Sequence, residues 1–350
     1  MGVDAFRDSL YAMLKRNTFL NIKFENMLDT LGQMSRTDIY SSLKEWEQLT
    51  PLPFYSIGEP ELTKVVNKGG EEFFVLKVLV SNNSDYDGII QMNVLQNGWW
   101  YQPLEDPRAR KKVEIAAHTT KEFVSVWEEQ IREVEVNTMI SGNLPYMIRQ
   151  SIGNVKQERN KIVKDSIYTL PESSLEMPGE IIVDNEDSTL FVLSTPPVVG
   201  LLPKWLDEVE ETPFKYSGIS WWRAPLQWTA TTNAKYYGKY IRSAYVIKSG
   251  DGSQTATWKI PVPEAGQYEL YYYVFKNDEL RWNDRLQGEY HFRVAYDSEV
   301  EDAYINLRKA NEGWEQLGTY YFSADTVRVV LTDECKLRSV TADAVKIVKR

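Results

Sequence analysis

Trp314-Glu315-Gln316-Leu317-Gly318-Thr319-Tyr320-Tyr321-Phe322 decides the fold of this chain. It is followed by Val327-Arg328-Val329-Val330-Leu331 and by Ala342-Asp343-Ala344-Val345-Lys346-Ile347-Val348. Each stretch is short, rich in β-branched and aromatic residues, and bounded by turn formers, the pattern of a strand packed on one or both faces. None of the three holds a residue set that performs chemistry. Together they point to an all-β accessory module rather than an enzyme core.

Working outward, the same pattern continues upstream. Tyr268, Leu270, Tyr272 and Val274 alternate with Glu269, Tyr271, Tyr273 and Phe275. Strands are predicted at 180–183, 240–247, 256–260, 268–275, 290–296, 304–307, 317–322, 327–331 and 344–348. Two long connections interrupt them. One, at 196–214, carries the acidic run Asp207-Glu208-Val209-Glu210-Glu211, and the other, at 276–288, carries Trp282. A second period-two region spans 55–140. Phe74, Leu76, Val78 and Val80 share one face there, while Phe73, Val75 and Leu79 share the other, as in a strand covered on both sides. Asn82-Asn83-Ser84-Asp85-Tyr86-Asp87-Gly88 is a turn cluster, and Ile90, Met92 and Val94 form the return strand. Further strands are predicted at 113–117, 123–127 and 134–136. Short strands at regular spacing predict an antiparallel sandwich.

Before these lie three short amphipathic helices within 4–50. Phe6, Leu10, Met13 and Leu14 form one stripe; Phe24, Met27, Leu28 and Leu31 form a second. Ser35 and Asp38 suit a capping box before Ile39, Leu43 and Trp46, and Pro51 and Pro53 end that helix. The chain opens abruptly inside a helical pattern, which reads as part of a longer polypeptide. Residues 141–180 are polar, with Lys156, Glu158, Arg159, Lys161 and Lys164, and read as a boundary. The organisation predicted is a helical segment at 1–50, a sandwich at 51–150, a linker at 151–179 and a second sandwich at 180–350. The fold class is mainly β, with two antiparallel sandwiches.

Composition narrows the function. A net charge of −10 argues against nucleic acid, whose phosphates require Lys and Arg, and against an anionic membrane surface. No apolar run is long enough to span a bilayer, and the charges among residues 1–20 exclude a signal-peptide core in that stretch. The single cysteine, Cys335, excludes an internal disulfide and sits beside Asp333 and Glu334, which oppose a thiolate. The two histidines, His118 and His291, are not spaced as a zinc-peptidase pair, and neither is followed by Glu. There is no nucleophile elbow and no phosphate-binding loop. No catalytic residue, metal ligand or cofactor is therefore assigned. Asp184-Asn185-Glu186-Asp187 offers oxygen donors suited to a hard cation, but its spacing fits an Asx turn better. Asp343, between two alanines, is expected to cap backbone amides.

The aromatic count, with 21 Tyr, 12 Phe and 11 Trp, is high enough to demand a use. Two compete: filling sheet cores, or presenting flat faces to sugar rings. The candidates for the second use are Trp221, Trp222, Trp228, Tyr236 and Tyr237, which cluster in sequence, and Trp282 in its polar loop. Trp99, Trp100 and Tyr101 pose the same question in the first β region.

Several of these segments occur in a familiar order. Ile182-Val183-Asp184-Asn185, Trp228 with Tyr237-Gly238-Lys239-Tyr240, Ala256-Thr257-Trp258, Pro263-Glu264-Ala265-Gly266-Gln267-Tyr268, Gly313-Trp314 and Ala342-Asp343-Ala344-Val345 resemble the golvesin C-terminal-like domain, also described as xanthan-lyase carbohydrate-binding-like. The resemblance covers about 180–350, although the connections at 196–214 and 276–288 are longer than its compact pattern. It implies a jelly-roll-like second sandwich in a secreted, periplasmic or surface protein, with glycan binding only loosely attached. A fainter likeness joins residues 1–160, including Thr138-Met139-Ile140-Ser141-Gly142-Asn143-Leu144-Pro145, to the region after the catalytic domain of bacterial aminopeptidase-N-like metallopeptidases. Two readings follow. One is a non-catalytic accessory region whose partner is a polysaccharide or an upstream domain of the same polypeptide. The other is the tail of a zinc peptidase whose active site lies upstream.

Overall fold

The computed structural model describes residues 3–18, 23–36, 38–39, 52–95, 106–153, 155–159, 163–171, 175, 179–194, 214–219, 223–276 and 288–350. The chain divides into two units, Met1–Leu52 and Pro53–Arg350.

The first unit contains helices Val3–Arg16 and Phe24–Ser35. Asp4 in the first turn and Lys15 and Arg16 in the last complement the dipole of the first helix. The second helix ends where Arg36 turns left-handed and donates its N–H to the Gly32 carbonyl. Of the two predicted stripes, Met13, Leu28 and Leu31 are buried, whereas Phe6, Leu14 and Phe24 are exposed. Only the start of the third predicted helix, at Ile39, is described; Leu43 and Trp46 lie outside the described residues.

The second unit is built of strands gathered into five sheets among the described residues. In its N-terminal β half, one sheet has the order Ser166–Pro171, Thr119–Trp127, Glu72–Asn82, Glu61–Val66, Val155–Arg159, with Tyr55–Ile57 also paired to Glu72–Asn82. A second has the order Arg110–Ile115, Gly88–Leu95, Glu133–Asn137, Met147–Ser151. Their common core holds Leu62, Leu76, Val78, Val80, Ile90, Val94 and Phe123. Glu72–Asn82 is central, as its two apolar faces predict: Leu76, Val78 and Val80 are fully buried and Val75 nearly so.

Two expectations need correction here. Residues 151–179 are not simply a linker, because Val155–Arg159 and Ser166–Pro171 are edge strands of the first sheet. Their polarity misled: an edge strand with solvent on its outer side needs little apolar surface. The first sheet is also mixed rather than antiparallel, since Val155–Arg159 runs parallel to Glu61–Val66.

The C-terminal β half has three sheets. One orders Glu180–Val183, Val345–Lys349, Gly266–Val274, Gly313–Phe322. Another orders Phe191–Leu193, Thr255–Pro261, Thr326–Thr332, Glu289–Tyr296, Glu299–Asn306, and a small one joins Thr229–Thr232, Ser243–Lys248 and Ser339–Ala342. They share a core that includes Trp258, Tyr268, Tyr272, Phe292 and Phe322. Tyr268, Leu270, Tyr272 and Val274 all face it, as the alternation predicts. The chain is thus mainly β; among the described residues its α-helices lie at the N-terminus and its strands spread over five sheets.

Hydrogen bonds join the two β halves. The Leu144 N–H donates to the Tyr240 carbonyl at 3.0 Å, and the Arg242 N–H donates to the Leu144 carbonyl at 2.7 Å. The Asn143 amide clamps the Tyr55 backbone, accepting from its N–H at 2.9 Å and donating to its carbonyl at 2.8 Å, and also donates to the Tyr240 carbonyl at 3.4 Å. Farther along, the Arg149 N–H donates to the Ala234 carbonyl at 2.9 Å. The loop at 138–145 is therefore the connecting device, and this seam frames the site described next.

Candidate functional site

A cavity of about 710 Å³ opens at the seam, walled on one side by Ser56–Glu59 and Gln150 and on the other by Tyr237, Arg242, Tyr273 and Trp314. A smaller one of about 210 Å³ adjoins it, sharing Glu59, Gln150, Tyr273 and Trp314. Its wall includes Lys235, whose ammonium sits 3.0 Å from Glu312 and 3.4 Å from Glu133.

Three aromatic rings line the C-terminal wall. Tyr273 and Trp314 lie 5.1 Å apart, edge to face, and Tyr237 leans on both, at 5.4 Å from Tyr273 and 5.0 Å from Trp314. All three are partly exposed. Such tilted contacts are the favoured geometry of aromatic pairs. Lys346 backs the group, with its ammonium 4.8 Å from the Trp314 ring, and pairs with Glu180 at 3.0 Å.

The sequence places these rings by simple means. Tyr273 lies on the outward face of Gly266–Val274, opposite the core face. Pairing with Gly313–Phe322 runs in register from Gly266↔Phe322 to Leu270↔Gly318, then slips, so that Tyr271 faces Gln316 and Tyr273 faces Trp314. Leu317 is the extra residue of this bulge. Were the pairing to continue without the slip, Glu315 would stand opposite Tyr273, and Trp314 would point to the other face.

Tyr237 arrives from a turn. Gly238 has φ +145°, and a Cβ there would come within 1.8 Å of the Ile241 carbonyl oxygen, so no other residue fits without moving the backbone. The turn sends Tyr237 to the cleft and Tyr240 to the seam, where its ring lies 5.3 Å from Phe54. Asp343 fixes the turn from beneath: both its carboxylate oxygens accept from the Tyr237 N–H, at 3.2 and 3.3 Å. Asp343 is fully buried, as are its neighbours Ala342 and Ala344. The expected amide cap is thus present.

Electrostatics at the site are dominated by lost hydration. Burial pushes the Asp343 carboxyl well above the usual range; Asp184 nearby reinforces the shift, and the Tyr237 N–H and Arg242 oppose it. Asp184 is raised for the same first reason. The Tyr237 and Tyr273 phenols are raised by burial and remain neutral. Glu59 keeps surface exposure at the mouth, yet the crowding of protein atoms around it raises its carboxyl, with Lys346 opposing and Glu180 adding.

Of the residues predicted to meet a ligand, Tyr237 lines the cleft. Tyr236, next to it, is 4% exposed and packs edge-on against Phe275 at 4.7 Å, so it offers no face to a ligand. Alternation within the turn explains the split. Trp228 packs against the C-terminal core. Trp221, Trp222 and Trp282 lie outside the described residues, as do Trp99, Trp100 and Tyr101. Tyr273 and Trp314 were not singled out from sequence. An outward-facing Tyr on an otherwise buried strand was a signal for the first, but the bulge hid the second.

Asp184–Asp187 forms the expected turn: the Asp184 N–H donates to Asp187 Oδ2 at 2.8 Å and the Asn185 N–H to Asp184 Oδ1 at 2.7 Å. Among the described residues no group of three His, Cys, Asp or Glu is arranged to hold a metal ion. His118 contacts Asp85 at 2.7 Å, and His291 contacts Asp302 at 2.8 Å while stacking on Tyr304. Among the described residues the wall of the larger cavity carries one carboxylate, Glu59.

Residues 222–349 match the Golvesin C-terminal domain, and the C-terminal β half is golvesin-like. Among solved structures the chain is similar to a Paenibacillus xanthan lyase, with 17% identity and a TM-score of 0.34 over 86% of this chain and 27% of that one. It is also similar to the CBM35 of Cellvibrio japonicus Abf62, with 10% identity and a TM-score of 0.25 over 36% of this chain and 83% of that one. A third is a Bacteroides uniformis β-glucuronidase, with 12% identity and a TM-score of 0.23 over 91% and 32%. The chain thus spans about a quarter of the xanthan lyase. No curated protein matches. The likeness of residues 1–160 to aminopeptidase-N-like proteins finds no support in these comparisons.

Proposed function

We propose that this chain is a non-catalytic, carbohydrate-binding accessory region of a bacterial envelope or secreted protein, and that the seam cleft is its glycan site. In this reading the β halves are two sandwich modules, the second jelly-roll-like, that act as one binding unit. The observation that carries it is the trio Tyr237, Tyr273 and Trp314 lining a cavity of about 710 Å³. Partly exposed rings stack on the apolar faces of sugars, and Gln150, Asn83 and Lys239 around them supply donors and acceptors for hydroxyls. No helix among the described residues is long and apolar enough to cross a membrane.

The test is affinity electrophoresis of the intact chain through gels containing soluble polysaccharides. Retardation by at least one polymer is expected, reduced about tenfold or more in Trp314→Ala, the typical loss at a central aromatic contact. Unretarded migration in every polymer, or retardation that Trp314→Ala leaves unchanged, overturns the reading.

A further inference from the structure

The cleft wall holds a cation that the aromatic trio does not explain. Arg242 is 5% exposed. Its Nη1 donates to the Tyr236 carbonyl at 3.1 Å, while its Nε has no acceptor among the described residues. Gln150, with its amide turned to satisfy its surroundings, gives Nη2 a neutral acceptor at 3.3 Å. No carboxylate among the described residues forms an ion pair with this guanidinium.

Asp343, the acid that senses Arg242, and its neighbour Asp184 are committed elsewhere. Asp343 accepts from the Tyr237 N–H, and Asp184 Oδ1 from the Asn185 N–H. Burial raises both carboxyls, which weakens their compensating charge. A guanidinium removed from water without an anion is costly, and the cost persists only where something else repays it. On the same wall Lys239 is exposed, its ammonium 5.4 Å from the Tyr240 ring centre, with no acid partner among the described residues. Among the described residues, two cations without an acid partner thus line a cavity whose single wall carboxylate is Glu59.

We propose that the cleft receives a carboxylate-bearing sugar, the uronate unit of an acidic polysaccharide, with its ring against Trp314 and Tyr273 and its carboxylate on Arg242 and Lys239. The inference rests on the carbohydrate reading above and adds the ligand's charge. Arg242 Nε is closed off from solvent, so the carboxylate reaches Arg242 at Nη2, where the Gln150 amide is the group that yields, and its other oxygen meets the exposed Lys239 ammonium. Gln150 belongs to the N-terminal half, so that half contributes to selection as well as to shape.

The experiment is calorimetric titration of the intact chain with polygalacturonate, polyglucuronate and alginate, each paired with its carboxyl-reduced, neutral form. At least one acidic polymer is expected to bind about tenfold or more tightly than its reduced partner, a charge-assisted contact being worth that much. Salt should narrow the gap. Lys239→Gln, a surface change that leaves folding intact, and Arg242→Gln should weaken binding of the acidic polymer more than that of its reduced form, narrowing the gap between the two. Equal binding of acidic and reduced polymers, or binding of neutral polymers alone, overturns the charge assignment and leaves the glycan site standing. Failure of all six polymers to bind removes both.

Discussion

The two β halves of the second unit solve one packing problem with different residues. The N-terminal half fills its core mainly with aliphatic chains such as Leu62, Leu76, Val78, Val80, Ile90 and Val94. The C-terminal half fills its own with Trp258, Tyr268, Tyr272, Tyr290, Phe292 and Phe322. Aliphatic cores need only the right volume on the right face. Aromatic cores with polar atoms also need partners for those atoms. Trp258 Nε1 donates to the Asp343 carbonyl at 3.2 Å, the Tyr272 hydroxyl donates to the Thr341 carbonyl, and the Tyr290 hydroxyl accepts from the Thr341 N–H at 3.0 Å. All three converge on residues 341–343. The aromatic core thus leans on the backbone of 341–343, where Ala342, Asp343 and Ala344 are fully buried.

The contrast can be broken most forcefully at Trp258. Trp258→Ala should cost about 3–5 kcal/mol, a large-to-small change in a closed core. It also leaves the Asp343 carbonyl without its indole donor. Urea denaturation measures it, and a cost below about 1 kcal/mol would mean that the aromatic core is not specified as described. Asn143→Ala should cost less, about 1–3 kcal/mol, because it deprives the buried Tyr55 backbone of its partners. Its sharper signature is calorimetric: a single unfolding transition should split in two as the halves melt separately.

Asp343 separates the halves by pH. Its carboxyl is raised in the folded state, so the native chain holds a proton more tightly than the unfolded one. Stability therefore falls as pH rises above about 4, the ordinary carboxylate value, until the folded group has ionised. Asp184 acts in the same direction. Asp343→Asn should flatten this slope without abolishing it, read as denaturant midpoints from pH 4 to 8. An unchanged slope would show that the carboxyl is not held protonated. The smallest effect on stability is expected from Trp314→Ala, about 0.2–1 kcal/mol for a cross-strand aromatic pair, although the same change removes a face of the proposed glycan site.

Most of the C-terminal strands could be read from the sequence because apolar residues alternate there with polar and aromatic ones. Their boundaries shifted by a few residues where pairing partners extended them: the strand predicted at 304–307 runs Glu299–Asn306, carried outward by its partner Glu289–Tyr296. Strands Val155–Arg159 and Ser166–Pro171 were illegible because an edge strand's hydrogen bonds leave no mark on composition. The site was half visible. Tyr237 stood out within an aromatic cluster, and Asp343 within its alanines. Trp314 could not be paired with Tyr273 from spacing, because one extra residue, Leu317, sets the register. Arg242 carried no signal in sequence, since its meaning lies in the partners it lacks.

The turn at 237–240 has one more consequence. Its first tyrosine belongs to the cleft and its last to the seam, and Gly238 between them leaves the backbone no alternative path. A change at the seam is therefore transmitted to the cleft within three residues. Over evolutionary time the two surfaces cannot drift independently: substitutions at Phe54, Asn143 and Tyr240 should be inherited together with those at Tyr237 and Gly238. The pair of β halves, rather than either alone, is then the piece that can be moved intact from one protein to another.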